Sequence, residues 1–381
     1  MLAIKNMSGI YIHIPFCKSR CYYCDFYSCT ELWAIDKYIN VLKTELADRK
    51  NYISDEVETI YFGGGTPSIL SSTQIEGIIE IITDNFKVSP NAEITLEANP
   101  DDLNTRYLKE LARTSVNRLS IGVQSLNSYY LKLMHRRHNE EQAISSINHA
   151  RRFGFDNISV DIIYGIPGLT IKELNSTLDK LNRANIQHLS AYHITYEENT
   201  VFDNLKNKGL IIPISDNESY EQYMAIIEWA KSNDFIHYEI SNFGKKSFFS
   251  KHNSNYWDQV PYLGVGAAAH SYNVHSRRWN IDNIHEYVRY AEKGGQIYKE
   301  EQLSTTDRYN ELLLTSLRTA HGIDLEKVKN EFGEDKAQLI LSFAERYEKS
   351  GYMVLEENSA ILTERGFFIS DRIISDMFVD K

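Results

Sequence analysis

Thiolates that share one inorganic cluster must lie close together on a chain, and all four cysteines of this 381-residue sequence fall within thirteen residues. Cys17, Cys21 and Cys24 are spaced C-x3-C-x2-C behind the apolar alternating segment Tyr11–Phe16, and Cys29 follows five residues later. Iron–sulfur clusters are held by thiolates, and a cubane ordinarily takes four. Three thiolates leave one iron open to another ligand, which is what a reactive cluster needs. The alternatives are a zinc knuckle or a set of free thiols. Zinc sites pair C-x2-C with a second ligand pair far along the chain. No second such pair exists here, so the spacing favours a cluster.

The rest of the composition narrows the setting. At 42% hydrophobic the chain can bury one barrel-sized core and a smaller one. No run of about eighteen apolar residues occurs, so no transmembrane helix is expected. The stretch ahead of the cysteines is too short for a signal peptide, and clustered cysteines without a disulfide framework suit a reducing cytoplasm. A net charge of −11 without a long basic run argues against nucleic acid as the main partner.

Apolar runs alternate with amphipathic stretches along the first half of the chain. Strands are expected at Gly9–Phe16, Val57–Phe62, Ala92–Ala98, Arg118–Val123, Ile158–Tyr164 and His188–Thr195. Helices are expected at Ala34–Lys50, Ser72–Asn85, Leu103–Arg113, Asn139–Phe153 and Ile171–Ala184. Alternation of this kind implies βαβ units on a parallel sheet. Six units make a partial α/β barrel of TIM type, (β/α)6, not a closed one of eight. From about residue 300 the pattern changes to helices at Asn310–Thr319, Leu325–Phe332 and Ala337–Ser350. A hairpin turning at Asn358-Ser359 and a closing helix Gly366–Met377 follow, which suggests a winged-helix-like domain of mixed charge, read as a lid or docking module. The expected divisions are therefore residues 1–235, a connecting segment 236–299, and 300–381.

Polar motifs sit where the strands end, which is where parallel sheets place their chemistry. Gly63-Gly64-Gly65-Thr66-Pro67 follows the second strand; its glycines permit close backbone approach and offer N–H groups to an anion. Glu97 ends the third strand, Gln124 ends the fourth with Arg136 twelve residues on, and Asp161 lies in the fifth. Each alone is compatible with a solvated residue. Together, on successive strands of a barrel, they are costly to bury without a ligand or partner.

These motifs carry a resemblance. C-x3-C-x2-C with GGGTP resembles the radical S-adenosylmethionine (SAM) superfamily. YIHIPFC, EANP, GVQSL and DIIYGIPG are similar to its branch of oxygen-independent coproporphyrinogen III oxidases and their haem-chaperone relatives. The resemblance implies a radical SAM barrel in which Cys17, Cys21 and Cys24 bind a [4Fe–4S] cluster and SAM chelates the fourth iron. It further implies that Tyr11, Tyr23, Gly64, Gly65, Thr66, Glu97, Gln124, Arg136 and Asp161 surround SAM, with carboxylates suiting its ammonium or ribose hydroxyls and Arg136 its carboxylate. His13 belongs to the shared pattern and reads as structural.

Within the branch, the oxidases resemble C-x3-C-x2-C-x-C and carry an N-terminal extension. Here the fourth position is Phe26, Cys29 does not replace it, and eight residues precede Gly9. Both departures speak against coproporphyrinogen decarboxylation, the alternative reading. Lys251-His252-Asn253-Ser254-Asn255-Tyr256-Trp257 matches the H-N-x-x-Y-W motif of the chaperone branch. That match implies haem contact at His252, with His270 a second candidate ligand and Lys251, Arg277 and Arg278 near enough in sequence to meet propionates. The expectation is a cytoplasmic protein that binds [4Fe–4S], SAM and haem, and hands haem to acceptors such as respiratory cytochromes, with transient membrane contact and no nucleic acid.

Overall fold

The computed structural model describes residues 7–380; the first six residues and residue 381, which the expected divisions include, lie outside it. In chain order the first elements are β1 (Met7–Ile14), α1 (Ile35–Asp48), β2 (Glu56–Gly64), α2 (Ser72–Asn85), β3 (Val88–Ala98), α3 (Thr105–Leu111) and β4 (Arg118–Gln124). Then come α4 (Ser128–Leu133), α5 (Glu140–Arg152), β5 (Asn157–Tyr164), α6 (Ile171–Arg183), β6 (His188–His193), α7 (Val201–Asn207) and α8 (Asp216–Ser232). β1 to β6 lie side by side, each parallel to the next. Helix starts are written into the sequence: Ser71 with Gln74, Asn139 with Gln142, and Thr170 with Glu173 form reciprocal caps on α2, α5 and α6.

Strand alternation sorts the side chains. On β1, Ile10, Ile12 and Ile14 are fully buried in the main core. Tyr11 and His13 point to the opposite face, as a period of two requires. That opposite face carries polar groups on the neighbouring strands: Thr59 and Tyr61, Glu93 and Glu97, Arg118 and Ser120, Asp161, and His188 and Ser190. The barrel interior is therefore polar, and the apolar core lies outside it.

The segment read as a connector contributes to both edges of this sheet. β7 (Ile236–Glu239) and β8 (Asn242–Gly244) extend it antiparallel beyond β6. α9 (Lys251–Trp257) follows, and then β9 (Tyr262–Val265) pairs parallel with β1, making a seventh parallel strand. β10 (His270–Tyr272), β11 (Ser276–Asn280), α10 (Ile284–Glu292) and β12 (Tyr298–Gln302) complete a twelve-stranded sheet, and β12 crosses the division expected at residue 300.

The buried Glu45 carboxylate of α1 joins this segment to the barrel. It accepts from Arg49 (2.9 Å), Gly266 N (2.9 Å), Asn280 Nδ2 (2.8 Å) and Tyr287 Oη (2.6 Å).

The remaining elements are α11 (Thr305–Ser316), β13 (Ile323–Asp324), α12 (Leu325–Phe332), α13 (Glu334–Lys349), β14 (Met353–Glu356), β15 (Ser359–Leu362), α14 (Glu364–Phe368) and α15 (Ser370–Met377). Helix, short strand, two helices and a hairpin, with sheet order β13-β15-β14, form the winged-helix-like arrangement. The hairpin turns at Glu357-Asn358, one residue earlier than expected, because Glu356 pairs with Ser359. The expected closing helix is two helices, broken at Ile369. Among the described residues no helix is long and apolar enough to cross a membrane.

Candidate functional site at the mouth of the barrel

The loop after β1 is pinned from several sides. Cys17 N donates to Cys29 O (2.9 Å) and Cys29 N to Pro15 O (2.7 Å), which ties the loop's base to its far end. Tyr22 N donates to Met134 O (3.2 Å), its ring stacks on His135 at 4.5 Å, and Lys18 pairs with the buried Asp102. Cys17, Cys21 and Cys24 consequently face one cavity of about 430 Å³, while Cys29 is absent from its lining. Thr66 Oγ1 donates to Cys17 Sγ at 3.4 Å and the Arg136 guanidinium to Cys21 Sγ at 3.3 Å.

The donor set fits a cluster. Among the described residues no three His, Cys, Asp or Glu side chains converge as ligands of a single ion. In a cubane each thiolate takes its own iron, so convergence on one point is not required. All four cysteines are free thiols. Burial pushes the Cys17 thiol up and the Cys24 thiol up to about 11, with the neighbouring thiols adding to the rise. Three adjacent thiolates repel one another, and bound iron reverses that sign.

Tyr23, Gly64, Gly65, Thr66, Glu97, Gln124, Arg136 and Asp161 line the same cavity, brought together from β2 to β5 and from the loops after β1, β2 and β4. The Glu97 carboxylate accepts from Tyr61 Oη (2.8 Å) and Gly64 N (3.2 Å), and burial raises its pKa to about 7. Burial also raises Asp161, against hydrogen bonds from Ser190 and Ser120. Arg136 donates to Asn99 Oδ1 (2.6 Å), Gly122 O (2.5 Å) and Cys21. Two features differ from the expectation that the glycine amides await an anion. Gly64 N is spent on Glu97 and Gly65 N on Ile14 O (2.9 Å). These glycines instead permit close packing. Gly64 has φ +111° with His13 against it, and a Cβ at Gly65 would lie 2.8 Å from Phe16 O.

Two expected site residues stand outside the cavity lining. Tyr11 bonds His13 Nδ1 (3.1 Å) and stacks on Tyr61 and His252, at 6.1 and 6.3 Å between centroids. His252 is 2% exposed, with Nδ1 on Thr59 Oγ1 (2.8 Å) and Nε2 on Tyr256 Oη (2.9 Å). Burial pushes its pKa down to about 3, so the imidazole is neutral and neither nitrogen is open to a metal in this conformation. By contrast His270 is exposed, stacked at 6.4 Å on Trp279, and makes no hydrogen bond through its ring among the described residues.

The sequence reading omitted Tyr61, Asn99, Arg118, Ser120, Ser190 and Asn253, all of which line the cavity. For Arg118 and Ser120 the signal was present: in β4 they share the face of Gly122 by simple alternation. Asn253 was singled out only as the second residue of the H-N-x-x-Y-W motif, and nothing local in the sequence places α9, far along the chain, at this cavity.

Comparison with known proteins agrees with this geometry. The Radical SAM superfamily model matches residues 11–181 and the HemN C-terminal domain model matches 303–369. The heme chaperone HemW of Lactococcus lactis subsp. lactis (strain IL1403) is 34% identical over 386 residues, covering 99% of both chains. The heme chaperone HemW of Bacillus subtilis (strain 168) is 33% identical over 372 residues, covering 96% of this chain and 98% of its own. The solved coproporphyrinogen III oxidase HemN of Escherichia coli, a radical SAM enzyme, superposes with a TM-score of 0.84 at 22% identity, over 98% of this chain and 90% of its own, and shares the fold. Radical SAM membership implies a [4Fe–4S] cluster and SAM, and when both are bound the cluster supplies the electron that SAM chemistry uses. With a cysteine loop, a polar barrel interior and full-length likeness to two relatives above 30% identity, this chain belongs to the HemW family of the radical SAM superfamily.

Proposed function

We propose that this protein is a haem chaperone: it holds [4Fe–4S] and SAM in the barrel, binds haem, and passes haem to acceptor proteins such as respiratory cytochromes. The observation that carries the reading is the residue two places after Cys24. Phe26 lines the cavity mouth and is 64% exposed, where the oxidase pattern has a thiol. Names of the full-length relatives agree with it. Three thiols that must stay reduced suit the cytoplasm, and contact with a membrane is transient, during delivery.

For the haem iron, the exposed His270 is the accessible imidazole. It shares a sheet face with Tyr272 on its own strand and lies opposite Trp279 on β11, with Arg277 opposite Tyr272. Trp279 beside the unbonded imidazole suits a porphyrin face, and Arg277 would meet a propionate only by giving up its ion pair with Glu311. Anaerobic haemin titration of the cluster-reconstituted protein is expected to saturate at one haem per chain. His270→Ala should weaken binding about tenfold or more, and His252→Ala should act only as far as it loosens α9. Loss of binding in His252→Ala with His270→Ala unchanged would return the ligand to the H-N-x-x-Y-W motif. Absence of saturable binding, or turnover of coproporphyrinogen III, would overturn the chaperone reading.

Glu97 gives the cavity a pH dependence. Its folded pKa of about 7 lies above the ordinary carboxylate value of 4.5. The bound proton therefore stabilises the ligand-free fold fully below pH 4.5, and that contribution is lost as pH rises through about 7. A cationic ligand needs the ionised form. SAM affinity is thus expected to tighten about tenfold from pH 6 to pH 8, and Glu97→Gln should flatten the dependence; equilibrium dialysis across that range checks both.

A further inference from the structure

Two of the three cavity thiols receive a hydrogen bond from a side chain outside their own loop. Thr66 Oγ1, just after β2, donates to Cys17 Sγ at 3.4 Å. Arg136 Nη1, from the segment between α4 and α5, donates to Cys21 Sγ at 3.3 Å. Ser28 and Tyr23, of the cysteine loop itself, also lie against Cys17 and Cys21 respectively. The two outside donors share one partner, Asn99 of the EANP motif. Its Oδ1 accepts from Arg136 Nη2 at 2.6 Å, and its Nδ2 donates to Thr66 Oγ1 at 3.3 Å.

The direction of each bond in this chain follows from the groups themselves. A guanidinium only donates, so the amide oxygen of Asn99 must face Arg136. That turns the amide nitrogen, which also only donates, towards Thr66. The Thr66 oxygen therefore accepts, and its single hydrogen is left for Cys17, whose sulfur accepts in turn. Thr66 is buried, so water has little access to compete for that hydrogen. Asn99 is itself held in place. Its N–H donates to Ser68 Oγ at 3.2 Å, Ser68 Oγ donates to the buried Asp102 at 2.8 Å, and Asp102 pairs with Lys18, the neighbour of Cys17.

We infer that Asn99 is a positioning residue for the cluster: by holding Thr66 and Arg136 it aims one hydrogen bond at each of two cluster thiolates and so raises the cluster's reduction potential. Donors on the sulfurs stabilise the form that carries the extra electron, which makes them one of the protein's levers on that potential. Asparagine suits the task because one side chain both accepts and donates. Leucine at 99 removes both bonds at similar size. Aspartate keeps the bond from Arg136 but can only accept from Thr66, which turns the Thr66 hydrogen away from Cys17. The inference rests on radical SAM membership and not on the haem reading, so a protein that binds no haem leaves it standing.

The test is an EPR-monitored redox titration of the cluster-reconstituted full-length protein without SAM, with iron and sulfide measured for every variant. Thr66→Val and Asn99→Leu are each expected to move the cluster midpoint to a more negative potential at full iron and sulfide content. Thr66→Ser keeps the hydroxyl and should keep the wild-type midpoint. Because Thr66→Val and Asn99→Leu act on the same bond, their shifts should combine to less than the sum in the double variant. A midpoint that is unchanged or more positive in either single variant overturns the inference. So does a full sum in the double variant, or a shift in Thr66→Ser equal to that in Thr66→Val. Should Asn99→Leu take up no cluster, Asn99→Asp carries the test in its place. The added charge of aspartate lowers the midpoint alike with or without the Thr66 hydroxyl, whereas the part due to the reversed bond vanishes in Thr66→Val. A smaller shift of Asn99→Asp in the Thr66→Val background supports the inference, and an equal one overturns it.

Discussion

Cys21→Ser is expected to remove the cluster outright, taking iron and sulfide from about four each per chain to background, with no compensating ligand. The four cysteines sit in one loop, but only three face the cavity. Cys29 contributes its backbone, through Cys17 N and Pro15 O, so Cys29→Ser should keep full iron and sulfide content. Iron and sulfide analysis after anaerobic reconstitution checks both. A cluster that survives in Cys21→Ser, or vanishes in Cys29→Ser, would overturn the three-thiolate assignment. The protein itself should stay folded in both variants, because the loop is held by Tyr22, Lys18 and Phe202 as well as by metal. Phe202 N donates to Tyr22 O at 2.9 Å.

The second large effect is on stability. Glu45→Ala strips one acceptor from Arg49, Gly266, Asn280 and Tyr287 at once. Breaking a buried charged network by removing one member costs about 3–5 kcal/mol. Arg49 keeps Gly264 O and Ser271 Oγ, both at 2.9 Å, which limits the loss. Chemical denaturation should show a lower midpoint with the destabilisation in that range, and a change under about 1 kcal/mol would mean that water replaces the carboxylate. Because the network links α1 to residues 264–287, the variant should also raise protease sensitivity in the β10–β11 region before the rest of the chain.

Much of this was legible in the sequence, for reasons that differ by element. The six parallel strands carry apolar residues at every second position, and α2, α5 and α6 carry reciprocal caps, so both types announce themselves locally. β7 to β12 do not. They are short, rich in polar residues and stabilised by neighbours distant in sequence, as when Tyr262–Val265 takes its place against β1. α8 was overlooked although Ser215 and Glu218 cap it; the polar run before Tyr223 hid its apolar face. At the site, residue type picked out Glu97, Gln124, Arg136 and Asp161, all of which line the one cavity. His252 is buried with both ring nitrogens bonded, which sequence does not show, because a histidine facing Thr59 and one facing solvent look alike in it. At the glycine loop, only the fold reveals that Glu97 has already taken the Gly64 amide.

The pairing of β9 with β1 has a kinetic meaning. β1 is made well before β9, and one of its edges stays bare until the chain through residue 265 has followed. Closing a contact of that sequence separation is slow and comes late. The cysteine loop directly follows β1, so until β9 has followed it is joined to a strand that is paired on one side only. The loop's own partners, Met134 and Phe202, come earlier in the chain than β9, so it is the sheet edge and not the loop that waits for β9. Truncated chains ending before Tyr262 would present that open strand edge to one another, a template for association between chains.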